Sequence, residues 1–292
     1  MNSKKSASYE KIKHRVIVFL ALAVILIILA IIAPILVPND PYMTNSNSMK
    51  TAPCPQYPFG TDKLGRCVFS RVLMGMRISV FSALTLVAVS FVVGTFLGVL
   101  CGWYCGIVDE VIMRMADILL ALPQMVLAIA IAGILGGNLI NAMIAMSLTG
   151  WTLYARLARS AVLSIKEEAF VAAAKLSGCR DGELLFRHIV PNILGPLLVN
   201  ASTQIGTMMI GIAGLSFLGI GIIPPQAEWG SMINEARAYM QLAPWTVLAP
   251  GAAMVATIMI FNYLGDSVRD IMDVNGRRND KDAEPFIENR KT

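Results

Sequence analysis

Six apolar stretches, each long enough to cross a membrane as a helix, constrain the fold of this chain more than any other feature. They cover residues 16–37, 78–100, 118–136, 139–157, 193–223 and 245–264. The hydrocarbon layer of a bilayer is about 30 Å thick, which a helix of about 20 apolar residues spans. Because lipid offers the backbone no hydrogen-bond partner, each stretch is predicted to be helical. The sequence therefore predicts an all-α, polytopic membrane protein with about six transmembrane helices.

The composition supports a membrane location. Of the 292 residues, 56% are hydrophobic and only 15% are charged, whereas soluble domains carry about 25% charged residues. A net charge of +5 would suggest nucleic acid binding in a soluble protein. Here the charges follow the predicted topology, so no nucleic acid partner is expected. The first stretch is longer than a signal-peptide core and lacks a small-residue cleavage site, so it is expected to be retained.

The distribution of Lys and Arg predicts which loops face the cytoplasm. With a cytoplasmic N-terminus, most of the 24 Lys and Arg residues fall in cytoplasmic segments, and both termini lie inside. The first outer loop is the exception, because it carries Lys50, Lys63, Arg66, Arg71 and Arg77. The predicted organisation is a cytoplasmic N-terminal segment at 1–15, a first transmembrane helix at 16–37, an external loop at 38–77, a core of five transmembrane helices at 78–268 with a cytoplasmic loop at 158–191, and a cytoplasmic tail at 269–292.

The cytoplasmic loop at 158–191 has the pattern of two short helices separated by a glycine. Apolar residues recur near helical spacing up to Gly178, and Pro191 is well placed in the first turn of the next helix. Small residues allow another surface to approach closely, and charged residues can dock it. These residues are Ala172, Ala173, Ala174, Arg180, Asp181, Glu183 and Arg187. The alternative is a plain linker lying on the membrane face.

The spacing of Ala173, Ala174, Gly178 and Pro191 resembles the signature loop of ABC-importer permeases. The resemblance implies a type I ABC-importer permease fold, in which this loop, including His188, couples the permease to a cytoplasmic ATPase. Ala172 stands where many members of the family have Glu.

Other segments resemble the dipeptide/oligopeptide/nickel branch of these permeases. They are residues 57–66, 70–79, 216–232 and 244–270. Cys67 departs from the pattern, because the family usually has Asp there. The resemblance runs from about residue 56 to residue 274, and it implies a multi-pass protein of the cell inner membrane.

The resemblance also implies partners. These are a second homologous permease, two cytoplasmic ATPase subunits, an external solute-binding protein and the lipid bilayer. The chain has no glycine-rich phosphate-binding loop that ends in Lys-Ser or Lys-Thr. We therefore expect no cofactor and no catalytic residue in this chain, with ATP and Mg bound by the partner ATPases. Transport is expected to follow alternating access.

The substrate prediction favours nickel or a nickel chelate and keeps di- or oligopeptides as the alternative. Residues 151–156, 205–215 and 227–237 resemble nickel-type permeases, and residues 211–214 lack the acidic residue common in peptide-type members. The predicted translocation path includes Met208, Met209, Gly211 and Ser216, with simple packing as the alternative for the two methionines.

No metal site is predicted in the chain itself. His14 and His188 both lie outside the spans, and Cys101 and Cys105 are expected to pack rather than to bind a metal. Whether Cys54 and Cys67 form a disulfide stays open, because their distance is not given by the sequence.

Smaller features predict details of the helix bundle. Pro123 should bend the third span, and Gly94 and Gly98 should form a close-packing face. Acidic and basic residues at 109–117 and 266–270 should form interfacial clusters, paired among themselves or with partners.

Two other functional classes are less favoured. A secondary transporter or channel would need ionisable residues or a filter within the spans, which offer little of either. An intramembrane enzyme would need paired catalytic groups inside the helices.

Overall fold

The computed structural model describes the backbone of residues 2–288 and the side chains of residues 10–272. Within residues 2–288 the chain forms ten α-helices and no β-strand, which confirms the all-α prediction. The helices are α1 (Asn2–Leu36), α2 (Val68–Tyr104), α3 (Gly106–Leu120), α4 (Gln124–Leu135), α5 (Leu139–Lys166), α6 (Ala169–Leu176), α7 (Asp181–Leu184), α8 (Val190–Phe217), α9 (Trp229–Ala236) and α10 (Trp245–Glu288). Several basic side chains used to predict cytoplasmic termini lie outside the described side chains: Lys4, Lys5, Arg277, Arg278, Lys281, Arg290 and Lys291.

Four helical segments are long and apolar enough to cross a membrane: Glu10–Leu36, Val68–Tyr104, Asp181–Phe217 and Trp245–Met272. The bent pair α3 and α4 counts as a fifth. The 28 residues of α5 extend about 42 Å, enough to cross as well. Its polar side chains can be tolerated because much of the helix packs against α2 inside the bundle. This architecture agrees with the predicted number of about six spans.

Several helices extend beyond the apolar stretches that predicted them. α2 begins at Val68 rather than near residue 78, α5 continues to Lys166, and α10 continues past residue 264. An apolar run marks only the part of a helix that suits contact with lipid. The backbone hydrogen bonds of the helix continue into the neighbouring polar residues. The loop predicted to be external is therefore 38–67, and the segment between α5 and α8 is 167–189.

Glycines bring α2 and α5 into close contact. A Cβ atom at Gly94 would overlap the backbone carbonyl of Trp151, and one at Gly98 would overlap that of Ala155. One turn further, a Cβ atom at Gly102 would lie 2.8 Å from a Val162 side-chain carbon. The predicted close-packing face is confirmed, and its partner is α5.

The break between α3 and α4 is a 90° bend. Pro123 lies immediately before α4, which confirms the predicted bend. The two helices meet at a right angle. The charged residues before the bend pair with α5. Asp109 accepts from Arg159 at 2.5 and 2.6 Å, and Asp117 accepts from Arg156 at 2.5 Å. The partly buried Asp109–Arg159 pair holds α3 along the same helix that packs against α2, whereas the Asp117–Arg156 pair is half exposed.

We predict that Gly98→Ala destabilises the protein, because the added methyl group forces α2 away from α5. Overpacking of this kind costs about 1–3 kcal/mol, more than the gain of up to about 1 kcal/mol from better helix propensity. Thermal unfolding of the purified protein in detergent measures the change.

Gly133→Ala is the matched control, because Gly133 lies in α4 and a Cβ atom added there would meet nothing within 4 Å. Its Tm should stay equal or rise. Equal melting temperatures for both variants would contradict the proposed contact.

Candidate functional site

The 167–189 segment is anchored to the bundle by an apolar cluster. Val171 of α6 and Leu184 of α7 are buried, together with Ile189 at the start of α8. They pack with Val162 of α5 and Trp103 of α2. A π-helical turn, Leu185–Ile189, joins α7 directly to α8. The segment is therefore a rigid extension of three spanning helices rather than a loose linker.

Gly178 forms the turn between α6 and α7. Its N–H donates to the Lys175 carbonyl at 3.0 Å, and the Cys179 N–H donates to the Ala174 carbonyl at 3.2 Å. This is the hydrogen-bond pattern of a Schellman helix end, whose C′ residue adopts the left-handed conformation. The φ of Gly178 is +84°, which L-residues with a side chain rarely adopt. The glycine that the sequence marked thus sets the angle between the two short helices.

The outward surface of this segment mixes apolar and charged side chains. Leu176 is 91% exposed and Phe186 is 79% exposed. Other exposed residues are Ala172, Ala173, Gly178, Arg180, Asp181, Glu183, Arg187 and Pro191, whereas Ala174 and His188 are half-buried. Exposed apolar side chains on an anchored scaffold can contact either a partner protein or the membrane surface. The residues predicted for coupling therefore share one continuous segment, and their role remains a prediction.

Trp103 ties this segment to the end of α2. The Lys166 ammonium donates to the Trp103 carbonyl at 2.7 Å and lies 5.4 Å from the centre of its ring. Lys175 of α6 lies 4.9 Å from the same ring centre. Both lysines are within cation–π range. Sequence reasoning missed this contact, since a tryptophan next to an apolar run gives no sign of its partners.

At the opposite end of α2, the buried Asp62, Arg66 and Arg71 form an ion cluster with the half-buried Glu235. Arg66 donates to Asp62 at 2.6 Å and to Glu235 at 2.5 Å. Arg71 lies 3.7 Å from Asp62 and 3.8 Å from Glu235, and it donates to the Pro225 carbonyl at 3.1 Å. Arg66 and Arg71 are 2% and 1% exposed. The cluster joins the 38–67 loop to α2 and α9.

The nearby carboxylates keep Arg66 protonated. Burial alone would lower the pKa of Arg66, but the nearby Asp62 and Glu235 outweigh burial and raise that pKa above its ordinary value. Burial raises the pKa of Tyr239, which lies beside the cluster. Arg66 therefore keeps its positive charge in this buried site.

Glu228 and Trp229 complete the connection between α9 and α2. The Glu228 carboxylate caps α9 by accepting from the N–H groups of Gly230 and Ser231 at 2.8 and 2.7 Å, and from the Ser79 hydroxyl at 3.2 Å. The Trp229 indole donates to the Val72 carbonyl at 2.9 Å. The segments that carried the family resemblance thus meet in space, although their sequence patterns did not predict this contact.

The residues predicted for the translocation path lie inside the bundle. Met208 and Met209 are 3% and 2% exposed, and Gly211 and Ser216 are also buried. Gly211 lies directly against the Met146 methyl group. Their packing role is clear in this conformation, and their role in the path remains a prediction.

The cysteines are all free thiols, so Cys54 and Cys67 are not paired in this structure. Cys67 is buried and Cys54 is half-buried. In the part of the chain that the structure describes, no group of three or more His, Cys, Asp or Glu side chains could hold a metal ion.

Comparison with known proteins identifies a family match for the greater part of the chain. Residues 94–275 match the family described as "Binding-protein-dependent transport system inner membrane component". The match includes the 167–189 segment, α8 and α9.

Individual relatives are similar along most of the chain. The dipeptide transport system permease protein DppC of Alkalihalophilus pseudofirmus is 39% identical over 268 residues, which cover 91% of this chain and 88% of the relative. The protein of the same name from Haemophilus influenzae is 37% identical over 271 residues, covering 91% and 92%. The glutathione transport system permease protein GsiD of Pectobacterium atrosepticum is 40% identical over 250 residues, covering 85% and 83%.

We predict that Arg66→Met loosens the 38–67 loop, because it leaves Asp62 and Glu235 buried without their closest cation. Removing one partner from a buried ion pair costs about 3–5 kcal/mol. Limited proteolysis of the protein in membrane vesicles should therefore cut this loop faster than in the wild type.

Lys63→Met is the control, because Lys63 is an exposed cation in the same loop. Its proteolysis rate should match the wild type. Equal protection of the loop in Arg66→Met would show that the cluster does not hold it.

Proposed function

Because this chain belongs to the family of binding-protein-dependent transport system inner membrane components, we propose that it is the permease subunit of an ABC importer for short peptides. The observation that carries the substrate class is its 37–40% identity, over at least 85% of its length, to permeases named for dipeptide and glutathione transport. As a transport permease it is not an enzyme, and hydrolysis of ATP with Mg is assigned to partner subunits.

The relatives favour the peptide alternative over the nickel prediction. None of the relatives described above is named for nickel, and both named cargoes are short peptides. The sequence features that favoured nickel were resemblances in residues 151–156, 205–215 and 227–237. Buried positions among them, such as Met208 and Trp229, reflect packing of the shared fold and so discriminate poorly between cargoes.

We infer that the 167–189 segment docks on a cytoplasmic ATPase subunit. Support comes from exposed Leu176 and Phe186, which an apolar cleft in a partner would cover. Neighbouring Arg180 and Arg187 would set the orientation of that partner. This assignment places the segment and both chain termini in the cytoplasm. The complete importer would contain a second permease, two ATPases and an external solute-binding protein.

The packing of this segment suggests how movement of the ATPases could reach the spans. Buried Val171 and Leu184 hold the segment against α2 and α5, and the helix from Asp181 to Phe217 is continuous. A push on the exposed surface would therefore move α8 together with its partners. Such movement drives uptake only if the two conformations differ in affinity for the cargo.

The experiment that tests this function reconstitutes the complete importer in proteoliposomes with its solute-binding protein. Uptake of a labelled dipeptide, labelled glutathione and labelled Ni²⁺ is measured with and without ATP. We expect ATP-dependent uptake of a peptide and none of Ni²⁺. Uptake of Ni²⁺ alone, or uptake that persists without ATP, would refute the proposal.

We predict that Gly178→Ala lowers peptide uptake several-fold while the protein still reaches the membrane. A left-handed backbone costs an L-residue with a side chain about 1–2 kcal/mol, which disfavours the turn between α6 and α7. Uptake and ATPase activity are measured on the same reconstituted importer, and the uptake per ATP hydrolysed should fall.

Gly182→Ala provides the comparison, since Gly182 is helical, exposed and without a positive φ. Its uptake should stay near that of the wild type. If the two variants transport equally well, the turn at Gly178 does not matter for coupling.

A further inference from the structure

A groove with polar side chains lies between α8 and α10. Its volume is about 370 Å³, and its polar lining includes Thr207, Asn262 and Asp266. Gly206 forms its floor, because the absence of a side chain lets Ile258 and Asn262 approach α8. A Cβ atom at Gly206 would lie 2.9 Å from Ile258 Cγ2 and 3.4 Å from Asn262 Oδ1.

The groove lies at membrane depth. Thr207 is about 15 Å along α8 from its end at Phe217. Asn262 and Asp266 lie about 26 and 32 Å along α10 from Trp245. The groove therefore lies within the two helical segments, Asp181–Phe217 and Trp245–Met272, that are long and apolar enough to cross a membrane.

Most exposed side chains in the apolar parts of α1 and α2 are apolar. They include Ile17, Leu20, Val24, Ile28, Ile31, Val89, Val92, Val93 and Phe96, and Thr85 on α2 is a polar exception. These faces suit contact with lipid tails. In contrast, Thr207 and Asp266 are exposed and Asn262 is half-buried, and none of the three side chains has a hydrogen bond or ion pair with a described residue. Ionisable residues within membrane segments normally face a water-filled cavity or the interior of a bundle.

We propose that this groove is a hydrated part of the translocation path, in which Asp266 binds the ammonium group of the cargo. The amide of Asn262 would hydrogen-bond the peptide backbone of the same cargo. The groove volume lies within the range of about 300–1,000 Å³ typical of small-ligand sites, so it can hold a dipeptide. A single acidic contact attracts a cation without trapping it, as transport requires. This inference rests on the proposed peptide cargo.

Charged thiol reagents test whether the groove holds water. Thr207→Cys and Met259→Cys are made in a cysteine-free background of the complete importer and treated with a membrane-impermeant methanethiosulfonate. Met259 is the control because it is also exposed but does not line the groove. It lies on the same face of α10 as Tyr263, which stacks on Phe19 of α1. We expect the Thr207 variant to react faster than the control and at a rate that changes with ATP. Equal rates would mean that lipid or the second permease covers the groove, which overturns the proposal.

Substitution of the acid tests the binding role. Removing a hydrogen bond to a charged group should lower the uptake of a dipeptide with a free amino group about tenfold in Asp266→Asn, whereas Asp266→Glu should retain uptake. The ATPase activity stimulated by the loaded solute-binding protein should persist in both variants, which separates cargo binding from a structural defect. Asp270→Asn is the matched control, because Asp270 lies one turn along α10 and pairs with Arg15 in an exposed ion pair of 3.1 Å that contributes little.

The outcomes separate this proposal from the proposed function. If Asp266→Asn and Asp270→Asn transport the dipeptide equally while the wild type is active, Asp266 does not bind the cargo and the proposal is wrong. If the wild type takes up no dipeptide at all, the peptide function is wrong, and with it the assigned role of Asp266. In that case thiol labelling still decides whether the groove is a hydrated path.

Discussion

The close contact between α2 and α5 supports most other features of the structure. Gly94, Gly98 and Gly102 let the backbones approach so closely that a methyl group would clash with the carbonyls or side chains of α5. Apolar side chains gain little from leaving lipid for another apolar surface, so membrane helices associate chiefly through tight van der Waals packing and polar contacts. A row of small residues is therefore an effective way to fix two long helices as one body.

The packed pair of α2 and α5 connects the ion cluster at one end of the molecule with the Trp103 contacts at the other. Arg71, near the start of α2, lies in the ion cluster that joins the 38–67 loop to α9. Trp103, near its other end, lies between Lys166 and Lys175 of the segment assigned to ATPase coupling. The two residues are about 48 Å apart along the helix. A displacement at one end of such a rigid pair must be accommodated at the other, as the proposed coupling to an ATPase requires.

The ion cluster also explains the weakest point in the predicted topology. The external loop carries more cations than an outer loop usually does. Two of them, Arg66 and Arg71, are buried against Asp62 and Glu235, and their charge is therefore largely neutralised. These two arginines, which did not fit the predicted topology, therefore have a role in holding the loop together. The relatives favour the peptide alternative over nickel, and the resemblances that pointed to nickel lie partly at buried positions, which reflect the fold more than the cargo.

Local chemistry along the chain was enough to predict the helical class, the approximate spans, the bend at Pro123, the packing role of Gly94 and Gly98, and the turn at Gly178. Each follows from apolar length, a missing N–H, or a missing side chain. The choice of which helix meets which came from the packing of the whole bundle, and it brought Asp62 to Glu235, Trp103 to two lysines, and Thr207 to Asp266. These pairs lie far apart in the chain, and no local pattern encodes their distance, because it depends on how all the helices pack together.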